Sequence, residues 1–422
     1  MDAAGGELAT SLLILLELVR TKAARTRPEL SAATGLGRTA VTQRVNQLIE
    51  IGLLEEGELS ASTGGRQPRT LRFRQDAGCI LAVELGATSF SVGIADLNGT
   101  LQTSRTEPGD IAAGAETVLE RVEAMLDEML QDENFGSMPI WGLGVGLPGP
   151  VEFATGRPNE PPIMPGWDGY PVRDRLATRY DAPVWVDNEV NLMALGALRS
   201  GRHSAPGDLL YVKVGTGIGA GITTNGLLHR GAKGCAGDIG HAPVVDDSPV
   251  VCRCGKTGCL EALAGGAALA RDGKAAAEAG SSPYLREVLT TTGTVTSKDI
   301  ASAVRAGDRT AVELLTTAAQ RIGVLLATLV NFYNPAAILL GGGVASAGDL
   351  FLATVRETIY RRSLPLSTRD LEIHRMPDGE SGGLVGAAFM VIDELFDSPC
   401  FARWLPVRTP SGFPGLPAAA AN

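Results

Sequence analysis

The sequence predicts an α/β protein in three parts: a small helical domain followed by a body of two similar lobes. Two observations support this organisation. The first 74 residues hold three helical periods and then two short strands, and two β-hairpins of similar design lie 129 residues apart. The length of 422 residues agrees, because one domain usually takes about 100–200 residues.

Composition excludes several protein classes. The chain is 44% hydrophobic and 20% charged, which is typical of a globular protein and excludes a disordered or fibrous one. No window holds 18 uncharged apolar residues, so no transmembrane span and no membrane partner are expected. The N-terminus lacks the basic stretch and apolar run of a secretory signal. A cytoplasmic protein is therefore expected.

The net charge of −10 is unevenly distributed along the chain. Residues 1–74 hold 10 Lys and Arg against 8 Asp and Glu, whereas the rest holds 27 against 39. An acidic body repels a polyanion, so any contact with nucleic acid is expected in the first domain, residues 1–75.

Three helices are predicted in this first domain, at about residues 6–21, 28–34 and 38–51. On the third helix Val41, Val45 and Leu48 share one face and are predicted to point inward. The remaining side chains are predicted to form an outward, donor-rich face suited to phosphates and base edges in a DNA major groove. These are Arg38, Thr39, Thr42, Gln43, Arg44 and Asn46.

Two strands joined by a Gly-Gly loop follow, and Arg66 lies at the tip of that loop. Helix, helix, turn, helix and hairpin is the order of a winged helix-turn-helix domain, in which Arg66 is predicted to enter a minor groove. The alternative is a small helical subdomain that serves dimerisation and carries a solvated charged face.

The two hairpins of the body span residues 79–99 and 208–226, and each ends in Asn-Gly, a strong hairpin signal. Laying Gly86 on Gly215 places Glu84 opposite Lys213. The repeat predicts a duplicated architecture with a cleft between the lobes. Two unrelated hairpins are the alternative.

Two further segments predict ligand contacts in that cleft. A strand at residues 183–186 leads into Asp187, Asn188 and Glu189, which open the next helix, and polar groups at such a junction face the crevice of an α/β protein. A later strand ends in Gly341, Gly342 and Gly343, which indicates a phosphate-cradling turn or, equally, a plain tight turn.

A metal site is the sharpest chemical prediction. His241, Cys252, Cys254 and Cys259 supply one imidazole and three sulfurs, a complete tetrahedral set for a structural Zn²⁺. The alternative is three buried reduced thiols beside an unrelated histidine.

Together these segments resemble the ROK family of repressors and sugar kinases, in its transcriptional-regulator branch. The resemblance rests on the winged-helix segment, the zinc segment, and the motifs VELGATSFSVGIADLNG, GVGLPGPVE, PGWDG, VDNEVN, VKVGTGIGAGI and NPAAILLGGG. It implies an actin/hexokinase-like two-lobed ATPase fold, with a first lobe of residues 76–187 completed by a helix at 384–398 and a second lobe of 188–383. It also implies a homodimer or homotetramer. Residues 399–422 are expected to form a disordered tail.

The resemblance also assigns site residues. A sugar would be bound by Asn188, Glu189, Asp238, His241 and Glu261. Phosphates would be held by Gly86, Thr88, Gly215, Thr216 and Gly217, together with residues 341–343. In an active kinase, Glu84 would hold the Mg²⁺ position and Glu189 would be the catalytic base.

The sequence departs from the kinases of the family at both catalytic positions, where they carry Asp, and Asp238 stands where the family usually has Glu. A displacement of about 1 Å can cost about 100-fold in rate. The expected function is therefore a sugar-responsive, DNA-binding regulator, a repressor whose effector is a sugar or sugar phosphate. The alternatives are a sugar kinase for a hexose or N-acetylhexosamine that uses ATP and Mg²⁺, and a regulator that responds to a protein partner.

Overall fold

The computed structural model describes residues 3–59, 67–199, 207–376 and 382–416. The chain begins with three helices and a two-stranded antiparallel sheet, the predicted winged helix-turn-helix order. These elements are α1 (Ala3–Arg20), α2 (Arg27–Thr34), α3 (Arg38–Glu50), β1 (Leu54–Leu59) and β2 (Arg69–Phe73). A capping box of Thr26 and Glu29 starts α2, and left-handed Gly35 ends it.

The core of this domain forms as its periodicity predicts. Val41, Val45 and Leu48 are fully buried and pack in one cluster with the leucines of α1. The predicted inward face of α3 is therefore confirmed. Arg66, the predicted tip of the wing, lies outside the described residues.

The first lobe contains a five-stranded sheet in the order β5-β4-β3-β6-β9. Its first three strands are antiparallel, and β6 and β9 continue parallel to β3. The elements are β3 (Cys79–Leu85), β4 (Ser89–Asp96), β5 (Leu101–Pro108), α4 (Ala115–Leu130), β6 (Ile140–Leu147), β7 (Val151–Glu152), β8 (Arg157–Pro158), α5 (Val172–Tyr180), β9 (Val184–Asn188) and α6 (Glu189–Arg199).

The second lobe repeats this sheet in the order β12-β11-β10-β13-β14, again three antiparallel strands and two parallel ones. The predicted duplication is therefore confirmed. The elements are β10 (Leu209–Val214), β11 (Ile218–Thr224), β12 (Leu227–Leu228), α7 (Leu260–Ala264), α8 (Gly266–Ala279), α9 (Pro283–Thr292), α10 (Ser297–Arg305), α11 (Arg309–Tyr333), β13 (Ala337–Gly341), α12 (Asp349–Arg362), α13 (Pro365–Thr368) and β14 (Glu372–Arg375).

Helix α14 (Gly382–Leu395) returns to the first lobe, where it packs against β3, β6 and α6. Glycines permit the close approach of α6 and α14. A Cβ atom at Gly386 would lie 1.8 Å from the carbonyl oxygen of Leu192, and one at Gly196 would lie 2.0 Å from that of Gly382. The two helices therefore form one tightly packed pair between the sheets of the two lobes.

The expectation of a disordered tail from residue 399 is wrong for residues 399–416. Helix α15 (Ser398–Trp404) continues the fold, and turns extend the ordered chain to Leu416. The indole of Trp404 packs edge-on against Trp141 with ring centroids 5.5 Å apart, and its Nε1 donates to the carbonyl oxygen of Leu395 at 2.9 Å. Three buried anchors, Phe401, Trp404 and Leu416, outweigh the Pro- and Ala-rich composition that suggested disorder.

Among the described helices, α11 alone is long and apolar enough to cross a membrane by length and composition. Its residues Ile322, Leu326 and Val330 are fully buried in the core of the second lobe. The apolar character of α11 is thus accounted for by this packing.

Candidate functional site

A cavity of about 650 Å³ lies between the two lobes. The structure brings all five predicted sugar-binding side chains to its wall, together with residues of all three predicted phosphate turns. The predicted residues that line it are Asn188, Glu189, Asp238, His241, Glu261, Gly86, Thr88, Gly215, Thr216, Gly217, Gly342 and Gly343.

Two predicted site residues are not on the cavity wall. Gly341 ends β13 outside the lining set, and a Cβ atom there would lie 2.2 Å from the hydroxyl oxygen of Tyr211. Its small size therefore serves strand packing rather than a phosphate. Glu84 is also absent from the lining set and packs against α14. A Cβ atom at Gly383 would lie 2.3 Å from the carboxyl carbon of Glu84.

Asn188 is held rigidly at the junction of β9 and α6. Its Nδ2 donates to the carbonyl oxygen of Gly149 at 2.8 Å, and its Oδ1 accepts from the backbone N–H of Val190 at 2.8 Å. Because both ends of the amide are bonded, its orientation toward a ligand is fixed before the ligand binds.

Glu261 lies in the first turn of α7, and its Oε2 accepts from the backbone N–H of Ile218 at 3.1 Å. The close approach requires glycine at position 217, where a Cβ atom would lie 2.2 Å from Oε2 of Glu261. Asp238 also lines the cavity, and its Oδ1 lies 3.9 Å from Nε2 of His241. The carboxylates and the amide can accept and donate the hydrogen bonds that sugar hydroxyls require.

Lys213 is a further residue of this site, and no role was predicted for it from the sequence. Its Nζ donates to Oε2 of Glu189 at 2.6 Å. A Cβ atom at Gly86 would lie 4.0 Å from that same oxygen, and one at Gly215 would lie 3.6 Å from Cε of Lys213. The ion pair therefore lies between the two glycine turns. The signal in the sequence was a lysine within the apolar strand β10.

Glu84 interacts electrostatically with this pair. Burial raises the pKa of Glu84 to about 7, Lys213 opposes that rise, and the like charge of Glu189 adds to it. The Glu84 carboxyl group is therefore partly protonated near neutral pH.

The predicted metal ligands lie together, with their four ligand atoms all within 4.8 Å of one another. Sγ of Cys254 lies 3.7 Å from Sγ of Cys259, and Nδ1 of His241 lies 3.5 Å from Sγ of Cys252. Ligands at about 2.3 Å from a tetrahedral Zn²⁺ lie about 3.8 Å apart, so the residues present fit such an ion. The cluster can bind a metal ion.

Burial also raises the pKa of the Cys259 thiol to about 12, with a contribution from its hydrogen bond with Cys254. A thiolate at this position therefore needs a cation beside it. A bound metal ion would supply that cation and displace the thiol proton.

The outward face of α3 is exposed at Arg38, Thr39, Thr42, Gln43 and Asn46. The side-chain oxygen of Asn46 accepts a hydrogen bond from Arg27 at 3.0 Å, and the Asn46 side chain is nevertheless exposed to solvent.

The outward placement predicted for Arg44 is wrong. Arg44 is half-buried, and its Nε donates to Oγ of Ser11 on α1 at 2.6 Å. Position 44 follows Val41 by three residues and precedes Leu48 by four, so it shares the flank of the buried face. Arg44 is therefore a contact between helices of the domain.

Known proteins resemble this chain over most of its length. Residues 80–394 match the ROK family. The xylose repressor of Caldicellulosiruptor bescii is 29% identical over 393 residues, which cover 92% of this chain and 97% of the repressor.

Two solved structures show the same fold. A ROK family transcriptional regulator, a homologue of the E. coli MLC protein, has a TM-score of 0.78 at 22% identity and covers 96% of this chain and 99% of its own. A ROK family glucokinase from Streptomyces griseus, in complex with glucose and AMPPNP, has a TM-score of 0.64 at 28% identity and covers 74% of this chain and 99% of its own. The actin/hexokinase-like fold predicted from the sequence is confirmed, and the chain belongs to the ROK family.

Proposed function

We propose that this chain is a sugar-responsive transcriptional repressor without kinase activity. Residues 1–75 bind a DNA duplex, and the cavity between residues 76–187 and 188–383 binds the effector. The observation that carries the proposal is the presence, in one chain, of an exposed donor face on α3 and a carboxylate-lined cavity. The full-length match to a xylose repressor supports it, since the glucokinase covers 74% of the chain.

The carboxylates among the predicted sugar contacts favour a neutral sugar over a sugar phosphate. Asp238 and Glu261 form no ion pair with Lys or Arg among the described residues, and Lys213 is already bonded to Glu189. A phosphate dianion in this part of the cavity would meet uncompensated carboxylates at short range. A sugar hydroxyl, in contrast, can donate to each of them.

In this proposal the four-ligand cluster holds a structural Zn²⁺, which supplies a fixed crosslink for the loop between His241 and Cys259. The imidazole would use Nδ1 for the ion, because that nitrogen lies beside Cys252, while Nε2 faces Asp238. The ion thereby orients the cavity wall without taking part in chemistry. The chain acts as a homodimer or homotetramer, so that two DNA-binding domains can contact two half-sites.

The cavity assignment predicts that D-xylose, D-glucose or N-acetyl-D-glucosamine raises the melting temperature of the purified protein, whereas glucose 6-phosphate does not. A ligand at 100 times its Kd stabilises by about 2.7 kcal/mol. Asn188→Ala is expected to weaken binding of the effective sugar at least about tenfold, because the pre-oriented amide is lost.

Asn134→Ala is the matched control, since the Asn134 side chain bonds to Asp132 in an exposed loop remote from the cavity. A response to the phosphate alone, or equal affinity in the Asn188 variant, would refute the neutral-sugar assignment.

The DNA assignment predicts a weaker complex for Arg38→Ala with a duplex selected from a random-sequence pool. The plot of log K against log salt is expected to lose about one unit of slope, because one phosphate contact is removed. Arg361→Ala on α12 is the control, since Arg361 is an exposed arginine of the second lobe. An unchanged affinity and slope for the Arg38 variant would show that α3 does not contact the duplex.

A sugar kinase is the second candidate, and the glycine turns favour it. Gly86, Gly215 and Gly217 line the cavity, in the turns that would hold the phosphates of a nucleotide. An assay of ADP release with ATP, Mg²⁺ and hexoses or N-acetylhexosamines separates the two functions. No turnover is expected; a rate within about 1–100 s⁻¹, the range of kinases, would establish the kinase instead.

A further inference from the structure

We propose that Lys213 is a built-in cation of the cavity that takes the place of a divalent metal ion, so that the cavity binds its sugar without metal or nucleotide. The statement about sugar rests on the proposed function. The statement that Lys213 excludes a divalent ion from the acidic pair Glu84 and Glu189 does not.

The first support is the position of Lys213. It lies in β10 between Val212 and Val214, both fully buried, and its own side chain is 21% exposed. The ammonium group bonds at 2.6 Å to Glu189, whose side chain is 9% exposed. The pair lies between the turns at Gly86 and Gly215, where the phosphates of a nucleotide would have to approach.

The second support is the balance of charge. Two carboxyl groups, Glu84 and Glu189, act on each other electrostatically, and Lys213 acts on both. Mg²⁺ sites in proteins use one or two carboxylates together with substrate phosphates. Here an ammonium already occupies one carboxylate oxygen of Glu189, and its charge repels a second cation beside either carboxylate.

The third support is that an ion pair such as Lys213 and Glu189 adds little to the stability of the fold, so stability alone does not explain its presence. Taking two charges from water costs about as much as their attraction returns, and apolar replacements of such pairs are often neutral. Lys298, the other lysine that lines the described part of the cavity, forms no ion pair with Glu84 or Glu189. Lys213 therefore supplies the compensating charge at this point of the wall.

The test titrates Mn²⁺, an oxygen-binding probe for a Mg²⁺-type site, into the zinc-loaded full-length protein and follows free Mn²⁺ by electron paramagnetic resonance. We expect the wild type to bind no Mn²⁺ at the pair. Lys213→Met is expected to gain a single Mn²⁺ site per chain, which Glu189→Gln in the same variant removes. Lys213→Arg restores the cation and is expected to behave as the wild type.

Lys274→Met is the matched control, because Lys274 lies on the exposed side of α8, where its partner is Glu278. Melting curves are recorded first, and Lys213→Gln replaces the methionine variant if the latter does not fold. The proposal is overturned if the wild type binds Mn²⁺ at Glu189, or if the folded Lys213→Met or Lys213→Gln variant binds no more Mn²⁺ than the wild type.

A second arm measures the melting-temperature shift by D-xylose and D-glucose with and without added Mg²⁺. We expect the wild-type shift to be the same in both conditions, and a shift that requires Mg²⁺ would overturn the metal-independent binding. If neither sugar binds, the proposed function fails at this cavity, while the Mn²⁺ titration still decides whether Lys213 excludes the metal.

Discussion

Replacing Cys259 by serine is expected to release bound zinc and to lower the free energy of unfolding by about 4 kcal/mol or more, because loss of a metal is among the most damaging single changes. Cys259 is 1% exposed and directly precedes α7, which carries Glu261. Without the ion, the buried polar hydroxyl of serine would stand beside two unsatisfied thiols. The loop that carries Asp238 and His241 would lose its anchor, so sugar affinity is expected to fall as well.

Elemental analysis and thermal unfolding of the purified variant measure both effects. Cys235→Ser is the control, because Cys235 is exposed and lies outside the four-ligand cluster. A serine variant at position 259 that retains the zinc content and melting temperature of the wild type would rule out the metal site.

The second large effect expected is a loss of stability as the pH rises, caused by Glu84. Its pKa is raised from 4.5 to about 7, so the folded state holds the proton more tightly than the unfolded state does. The contribution to stability is fully present below the unfolded pKa and is lost as the pH rises through the folded pKa. It amounts to about 3 kcal/mol between about pH 4.5 and pH 7, at about 1.36 kcal/mol per pKa unit.

Urea unfolding of the wild type and of Glu84→Gln at about pH 5 and pH 8 measures this loss. Glutamine keeps the shape of the neutral acid, so the variant is expected to lose less stability over this range and to be the more stable protein at pH 8. Glu278→Gln, on the exposed side of α8, serves as the control. The burial of Glu84 would be disproved if its variant and the wild type showed the same pH dependence.

Local patterns predicted much of this molecule from the sequence. The inward face of α3 follows from helical spacing, and the two sheets follow from paired hairpins. The cavity wall was predicted by family motifs whose members, Asn188 and Glu261, lie far apart in the chain. These features could be predicted from the sequence because each depends on the pattern within one segment, or on a segment pattern that occurs twice in the chain.

Contacts between distant elements were not accessible in the same way. Arg44 turns inward because Ser11 on α1 offers an acceptor, and residues 399–416 are ordered because Trp404 finds Trp141. The bond between Lys213 and Glu189 depends on how two lobes meet. In each of these pairs the two residues lie on different elements far apart in the sequence, so no pattern within one segment predicts the contact.

A shared core gives the proposed sugar response a physical route to the DNA-binding domain. Helices α1, α6, α14 and α15 contribute to one hydrophobic cluster, and α6 begins at Glu189, directly after Asn188 on the cavity wall. A sugar can alter DNA binding through such a core only by its different affinity for two arrangements of the domains, with a typical coupling of about 1–3 kcal/mol.

The most direct test of this account is the affinity of the full-length protein for a selected duplex, measured by fluorescence anisotropy at fixed salt with and without a saturating neutral sugar. The sugar is expected to change the Kd for the duplex by about 5–150-fold, and the change should disappear in the Asn188→Ala variant. Identical affinities with and without a sugar that demonstrably occupies the cavity would contradict the account.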